Sequence, residues 1–338
     1  MKHWKETEEI LTRLARLAES GERAAIATVV RIEGSAYRRP GARFLVEESG
    51  ATAGSVSGGC LEADVREVAL EVMRTGEPRL LRYETGDDDS VFGLGLGCSG
   101  TVEIFVRTAT TPRALEASRE VLDLLAGDRS FSVSTVIRGE GAGRVTVHAG
   151  GDEPAPSREP RVADDAVTFV ETFTPPPALV IFGGGDDAIP LAAYASDSGF
   201  RVTVVDHRPA ALESGRFPAG VRLDARRPES GTGGLPLGPH AFAVVKMHSF
   251  AHDREWARRI LDAAVPYVGL LGPRERARLI LSQLGVSAGE RVFAPVGLDL
   301  GAEGPEQVAI AIVGELLAVH ASREPWSLRE KEGAIHAG

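Results

Sequence analysis

Only two cysteines occur in 338 residues, and both sit among glycines. Cys60 lies in GSVSGGCLEADV, residues 54–65, and Cys98 in GLGLGCSG, residues 93–100. Cys60 directly precedes a helical pattern that begins at Leu61, and a helix N-terminus favours a thiolate. Gly58 and Gly59 let backbone N–H groups come close to a ligand, and Ser55 and Ser57 add hydroxyl donors. Together these residues suit an anion or a soft metal centre; the plainer reading is a small cysteine packed under a glycine turn. Cys98 is flanked by Gly93, Gly95, Gly97 and Gly100, a density that implies close backbone approach or turns with φ > 0. No pair of CxxC motifs accompanies them, so a zinc set is not indicated. A disulfide between them requires the two loops to meet.

Other polar groups are placed where ligands bind. Arg38, Arg39 and Arg43, in GSAYRRPGARFLV, form a small basic loop suited to a phosphate or to plain solvation. Asp87, Asp88 and Asp89 read as a solvated acidic loop. In LVIFGGGDDA, Gly183-x-Gly185-x-x-Ala188 follows an apolar strand and opens a helix, and Asp206 ends the next strand, where a ribose-binding carboxylate belongs. Asp186 and Asp187 occupy the first turn of that helix, where they repel a pyrophosphate. The glycines then serve either a nucleotide or only the tight turn. Lys246, His248, His252 and Asp253 lie beyond the carboxyl end of a further strand, the ligand side of an open α/β sheet. No strand-to-helix G-x-S-x-G elbow is read, GVSAG at 285–289 matching only the spacing, and neither H-E-x-x-H nor a Walker loop occurs.

These residues need elements to hold them. The N-terminal stretch is an amphipathic helix with Ile10, Leu14, Leu17 and Ala18 on one stripe. AAIATVVRIEGS, ARFLVEES, RLLRYET, TVEIFVRT, FSVSTVIRG, GRVTVHAG and AVTFVETF read as strands. LEADVREVALEVMRTG and PRALEASREVLDLLAG read as helices. In TVEIFVRT, Val102, Ile104 and Val106 alternate with Thr101, Glu103 and Phe105. The polar run 150–161 is a hairpin loop or insertion, and TPPP at 174–177 marks the domain boundary. Beyond it, ALVIF, RVTVVD, AFAVVKM and YVGLL alternate with helices, the pattern of a parallel sheet. The expected fold is α/β: a mixed α+β domain over residues 1–174, then a Rossmann-like doubly wound parallel-sheet domain over 178–330. A net charge of -10 argues against nucleic acid or an anionic membrane surface as partner. The two cysteines and the absence of a long apolar run point to a reducing, cytoplasmic setting.

The stretches quoted above, with YVGLLGPRERARLIL and APVGLDLGAEGPEQVAIAIVGELLA, resemble the XdhC/CoxI family of accessory factors for molybdenum hydroxylases. The resemblance runs from about residue 30 to 320. It implies a non-catalytic chaperone that binds the molybdenum cofactor transiently, assists its sulfuration and inserts it into an apo-hydroxylase of the xanthine dehydrogenase kind. It makes Cys60 and Cys98 candidate cofactor, molybdenum or sulfur-handling thiols. Arg38, Arg39, Gly58 and Gly59 become candidates for the pterin and its phosphate, and Gly183, Gly185 and Asp206 for a nucleotide portion. The Asp186-Asp187 pair resembles the CoxI-like branch and weighs against NAD(P). A cysteine desulfurase as second partner and a homodimer through the apolar helix EQVAIAIVGELLAV are further expectations. The alternative is an NAD(P)-dependent oxidoreductase using the second domain.

Overall fold

The computed structural model describes residues 2–34, 36–84, 100–127, 129–149, 160–163, 166–263, 265–286 and 289–330. Cys98, the aspartates 87–89 and most of the polar run 150–161 lie outside them. The chain divides into two compact units, Lys2–Pro175 and Pro176–Glu330.

The first unit contains α1 (Lys2–Ser20), β1 (Ala24–Gly34), β2 (Arg43–Glu47), β3 (Thr52–Gly54), α2 (Glu62–Thr75), β4 (Arg79–Glu84), β5 (Gly100–Thr108), α3 (Pro112–Leu125), β6 (Phe131–Arg138), β7 (Val145–Ala149), β8 (Arg161–Ala163) and β9 (Ala166–Phe173). These strands form two antiparallel sheets, ordered β3-β2-β1-β5-β4 and β7-β6-β9-β8. Helix α2 covers one face of the larger sheet: Leu61, Val65, Ala69 and Val72 pack on Val102, Ile104 and Val106. The alternation in β5 does not mark a solvent face, however. Phe105 is buried on the opposite side with Val30, Ile137 and Phe169, because the second sheet covers that face as well. The residues of β5 at 102–106 are therefore all buried.

The second unit contains β10 (Ala178–Phe182), α4 (Ala188–Asp197), β11 (Arg201–Asp206), β12 (Arg222–Ala225), β13 (Ala241–Val245), α5 (Phe250–Leu261), β14 (Tyr267–Leu270), α6 (Arg274–Gln283), β15 (Val292–Phe293) and α7 (Gly304–His320). Its six-stranded sheet runs β12-β11-β10-β13-β14-β15, with every neighbouring pair parallel. Numbered within the unit, that is the Rossmann order 3-2-1-4-5-6. Alternate residues of β10 face opposite cores. Leu179 and Ile181 meet α4 and α7 on one side; Val180 and Phe182 meet α5 and α6 on the other. The sheet is doubly wound, and near-continuous apolar runs are what such strands require.

Helix α7 has a role that its apolar run alone does not reveal. Ala309, Ile312, Val313 and Leu316 are buried in the core that also contains α4, so most of its apolar surface belongs to its own unit. Ile310 and Leu317 stay exposed.

The turn from β10 into α4 depends on Gly183. Its φ is 123°, and a Cβ there would stand 2.4 Å from the Lys246 carbonyl oxygen. Gly183→Ala is expected to cost about 2–3 kcal/mol, read as a lower urea midpoint. An unchanged midpoint would mean that the contact between the two strand ends yields freely.

Candidate functional site

In the first unit, Cys60 is exposed and free. It lies just before Leu61, which caps α2. The loop leading to it is folded around Glu62. The carboxylate of Glu62 accepts backbone N–H bonds from Val56 at 3.1 Å, Ser57 at 2.9 Å, Gly58 at 3.4 Å and Gly59 at 3.0 Å. It also accepts from the Ser55 hydroxyl at 2.7 Å and from the Ser57 hydroxyl. Leu61 N–H donates to Ser57 Oγ at 3.0 Å. The amides and hydroxyls that the sequence offered to a ligand are thus turned onto a carboxylate of the chain itself. Partial burial works against the charged form of Glu62, but the Ser57 and Ser55 hydroxyls and the backbone donors prevail and hold the carboxyl at about 2.

The basic loop is less basic than its sequence. Arg38 is paired with Glu6. Arg43 is not a loop residue at all: it lies in β2, only 7% exposed, and its guanidinium donates to Glu171 at 2.7 Å. Arg39 is exposed and has no ion pair or side-chain hydrogen bond among the described residues. Tyr37, 77% exposed, lies alongside Gly58, where a Cβ would meet its ring at 3.1 Å. Gly58 has φ 136°, so both the backbone and the aromatic ring require glycine there. The structure therefore brings the Tyr37 ring against Gly58, in the loop that runs on through Gly59 to Cys60.

In the second unit, Gly183 and Gly184 are buried at the switch point of the sheet. Asp206 is fully buried. Its carboxylate accepts from Gly184 N–H at 2.8 Å, from Arg208 N–H at 2.9 Å, and from Arg208 Nε and Nη2 at 3.0 and 2.7 Å. Burial opposes its ionisation, and the Arg208 guanidinium with the two backbone donors outweighs it, leaving the carboxyl at about 2. Asp187, at the start of α4, accepts from Lys246 Nζ at 2.5 Å and pairs with His248 Nε2 at 2.9 Å. Lys246 is 2% exposed; burial pushes its ammonium down and Asp187 resists. Asp186 is exposed and paired with Arg216 at 2.6 Å. Asp253 caps the loop after β13 by accepting Met247 N–H at 2.8 Å. The carboxylate positions of a dinucleotide fold are present, but Asp186, Asp187 and Asp206 each already have a cationic partner in the chain.

The XdhC Rossmann domain model matches residues 179–316, and the XdhC and CoxI family model matches residues 17–84. A Bacillus subtilis (strain 168) protein, named as a probable component of xanthine dehydrogenase, is 33% identical over 321 residues, spanning 90% of this chain and 96% of that one. The chain belongs to the XdhC and CoxI family. A second relative, the molybdenum cofactor insertion chaperone PaoD of Escherichia coli (strain K12), is 26% identical over 310 residues, spanning 90% of this chain and 86% of its own. The crystal structure of a xanthine dehydrogenase from Bacillus halodurans aligns with a TM-score of 0.79 at 28% identity, covering 95% of this chain and 98% of that one.

For this family member, sequence reasoning singles out Cys60 and its glycines, and names Asp187, Lys246 and His248 separately, but misses Glu62, Arg208 and the pairing of Asp187 with Lys246 and His248. A signal for Glu62 is present: a carboxylate in the first helical turn after a Ser/Gly run is placed to collect free N–H groups. Glu62→Ala is expected to raise amide hydrogen exchange at Val56, Ser57 and Gly59 by about tenfold or more. Because the folded carboxyl titrates near 2, below its unfolded value, its contribution is complete above about pH 4.5 and fades as pH falls toward 2. Wild-type exchange corrected for intrinsic rates should rise in that window and not above it. Protection unaffected by the variant would show that the loop holds without Glu62.

Proposed function

We propose that the chain is an accessory protein that binds the molybdenum cofactor as cargo and assists its sulfuration and insertion into a molybdenum hydroxylase of the xanthine dehydrogenase kind. The observation that carries this reading is an exposed free thiol, Cys60, on a loop whose geometry is set by the chain's own carboxylate. A thiolate is a soft ligand suited to a metal–sulfur centre, and a positioned one loses little freedom on binding. Tyr37 supplies an exposed ring beside Gly58 for a flat heterocycle, and the exposed Arg39 a guanidinium for a phosphate. Cys98 is assigned a second sulfur-handling role. Two relatives align over most of the chain, one named for xanthine dehydrogenase and the other a cofactor insertion chaperone, and their names support the same reading. A hydroxylase apo-enzyme is the expected partner, and a cysteine desulfurase the expected sulfur source.

The second reading, an NAD(P)-dependent oxidoreductase, is favoured by the strand order of the second unit. It is opposed by Asp206, held by Arg208, and by Asp187, which puts a carboxylate where a pyrophosphate would sit.

The test is anaerobic retention of cofactor after removal of free ligand, assayed as molybdenum and as pterin. Wild type is expected to retain both, and Cys60→Ala to bind about tenfold or more weakly. Cys98→Ala is expected to retain pterin but to lose sulfur loading. Equal retention by Cys60→Ala, or none by wild type, contradicts the proposal. A melting-temperature rise with millimolar NAD(P)H and none with the cofactor would favour the oxidoreductase.

A further inference from the structure

The core of the first unit contains a charged cavity that the proposed function does not use. It lies between the two sheets, has a volume of about 40 Å³, and is lined by Arg43 from β2, Arg107 from β5, Glu171 from β9, and hydroxyl residues that include Thr28 and Thr135. Register explains the gathering. Arg107 stands opposite Ile26, and Phe105 opposite Thr28, on the covered face of the first sheet. Glu171 stands opposite Val133, and Phe169 opposite Thr135, on the facing sheet. The rest of the wall is largely aliphatic and aromatic.

The two guanidiniums are not equivalent. Arg43 uses three of its five donors within the chain: Nη1 donates to Thr7 Oγ1 at 2.9 Å and to the Gly41 carbonyl at 2.8 Å, and Nη2 to Glu171 at 2.7 Å. Arg107 makes one side-chain hydrogen bond among the described residues, from Nη1 to the Thr108 carbonyl at 3.2 Å. Its remaining donors have no carboxylate partner among those residues, since Glu171 is taken by Arg43. With Glu171 ionised, two guanidiniums face one carboxylate; burial pushes the Glu171 carboxyl up, and its protonation would enlarge the excess. Burial first, and the neighbouring charge of Arg43 second, push Arg107 down to about 10. Glu171 pulls the other way, but one carboxylate shared by two guanidiniums leaves a positive charge in excess in a half-buried place, which is costly.

We propose that this cavity is a binding site for a small inorganic monoanion, of halide to nitrate size, held between the Arg43 and Arg107 guanidiniums. Such an ion completes the charge balance and accepts the free Arg107 donors through charge-assisted hydrogen bonds. The Thr28 and Thr135 hydroxyls add neutral donors. The volume admits one small ion or a few waters and is too small for a pterin or a nucleotide, so the site is separate from the cargo reading. The bound ion ties β2 and β5 of one sheet to β9 of the other.

The experiment follows the melting temperature of the full chain while sodium nitrate replaces sodium gluconate at constant ionic strength. Wild type is expected to show a saturable rise of several degrees, and Arg107→Met to lose it. Cys60→Ala is expected to keep it, which separates this proposal from the one above. Wild-type crystals soaked in sodium bromide are expected to give an anomalous peak between the two guanidiniums, a readout that does not need the variant to fold. A flat wild-type titration, a rise retained in Arg107→Met, or a bromide map empty at that position each overturns the proposal.

Discussion

The carboxylate of Glu62 is the constraint on which the cysteine loop depends. Ser-Gly-Gly has little conformational preference of its own, and ordering glycine costs more backbone entropy than ordering any other residue. Six donors converging on one ionised group offset that cost with charge-assisted hydrogen bonds. The consequence reaches the chemistry. Because the amide cradle is filled by a negative charge of the chain, it is not available as an anion hole. What the loop presents outward is the sulfur of Cys60, with the Tyr37 ring beside Gly58.

The Rossmann unit follows the same pattern with different residues. Its strand order and buried glycine turn are those of a dinucleotide fold, yet Asp206 is committed to Arg208 and Asp187 to Lys246 and His248. Gly183 has its positive φ for a reason internal to the fold, the approach of the Lys246 carbonyl across the switch point. The glycine pattern therefore reports close packing of β10 against β13, and a glycine fingerprint by itself says little about ligand.

Much of the architecture was legible in the sequence because buried parallel strands leave unbroken apolar runs, as ALVIF and AFAVV do. Strands β12 and β15 were not, being short edge strands with few core residues. The alternation in TVEIFVRT was legible as strand but misleading as to exposure, since periodicity cannot show that a second sheet covers the other face. The residue types of the site were legible; their partners were not. Arg43 and Glu171 are 128 positions apart and Asp187 and His248 are 61 apart, distances at which only the folded topology decides who meets whom. The apolar run of α7, read from the sequence as a dimer surface, packs for the most part with α4 in the core of its own unit, while Ile310 and Leu317 stay exposed.

If the carboxylate-held loop presents Cys60 to the molybdenum cofactor, removing the frame while keeping the thiol weakens binding. Cofactor retention is compared between wild type and Glu62→Ala, with thiol titration confirming that Cys60 is intact and reactive in both. The expected result is a loss in Glu62→Ala of about tenfold or more, with the melting temperature of the chain largely preserved. Full retention by a folded Glu62→Ala would show that the loop geometry does not matter to binding, and would contradict the account.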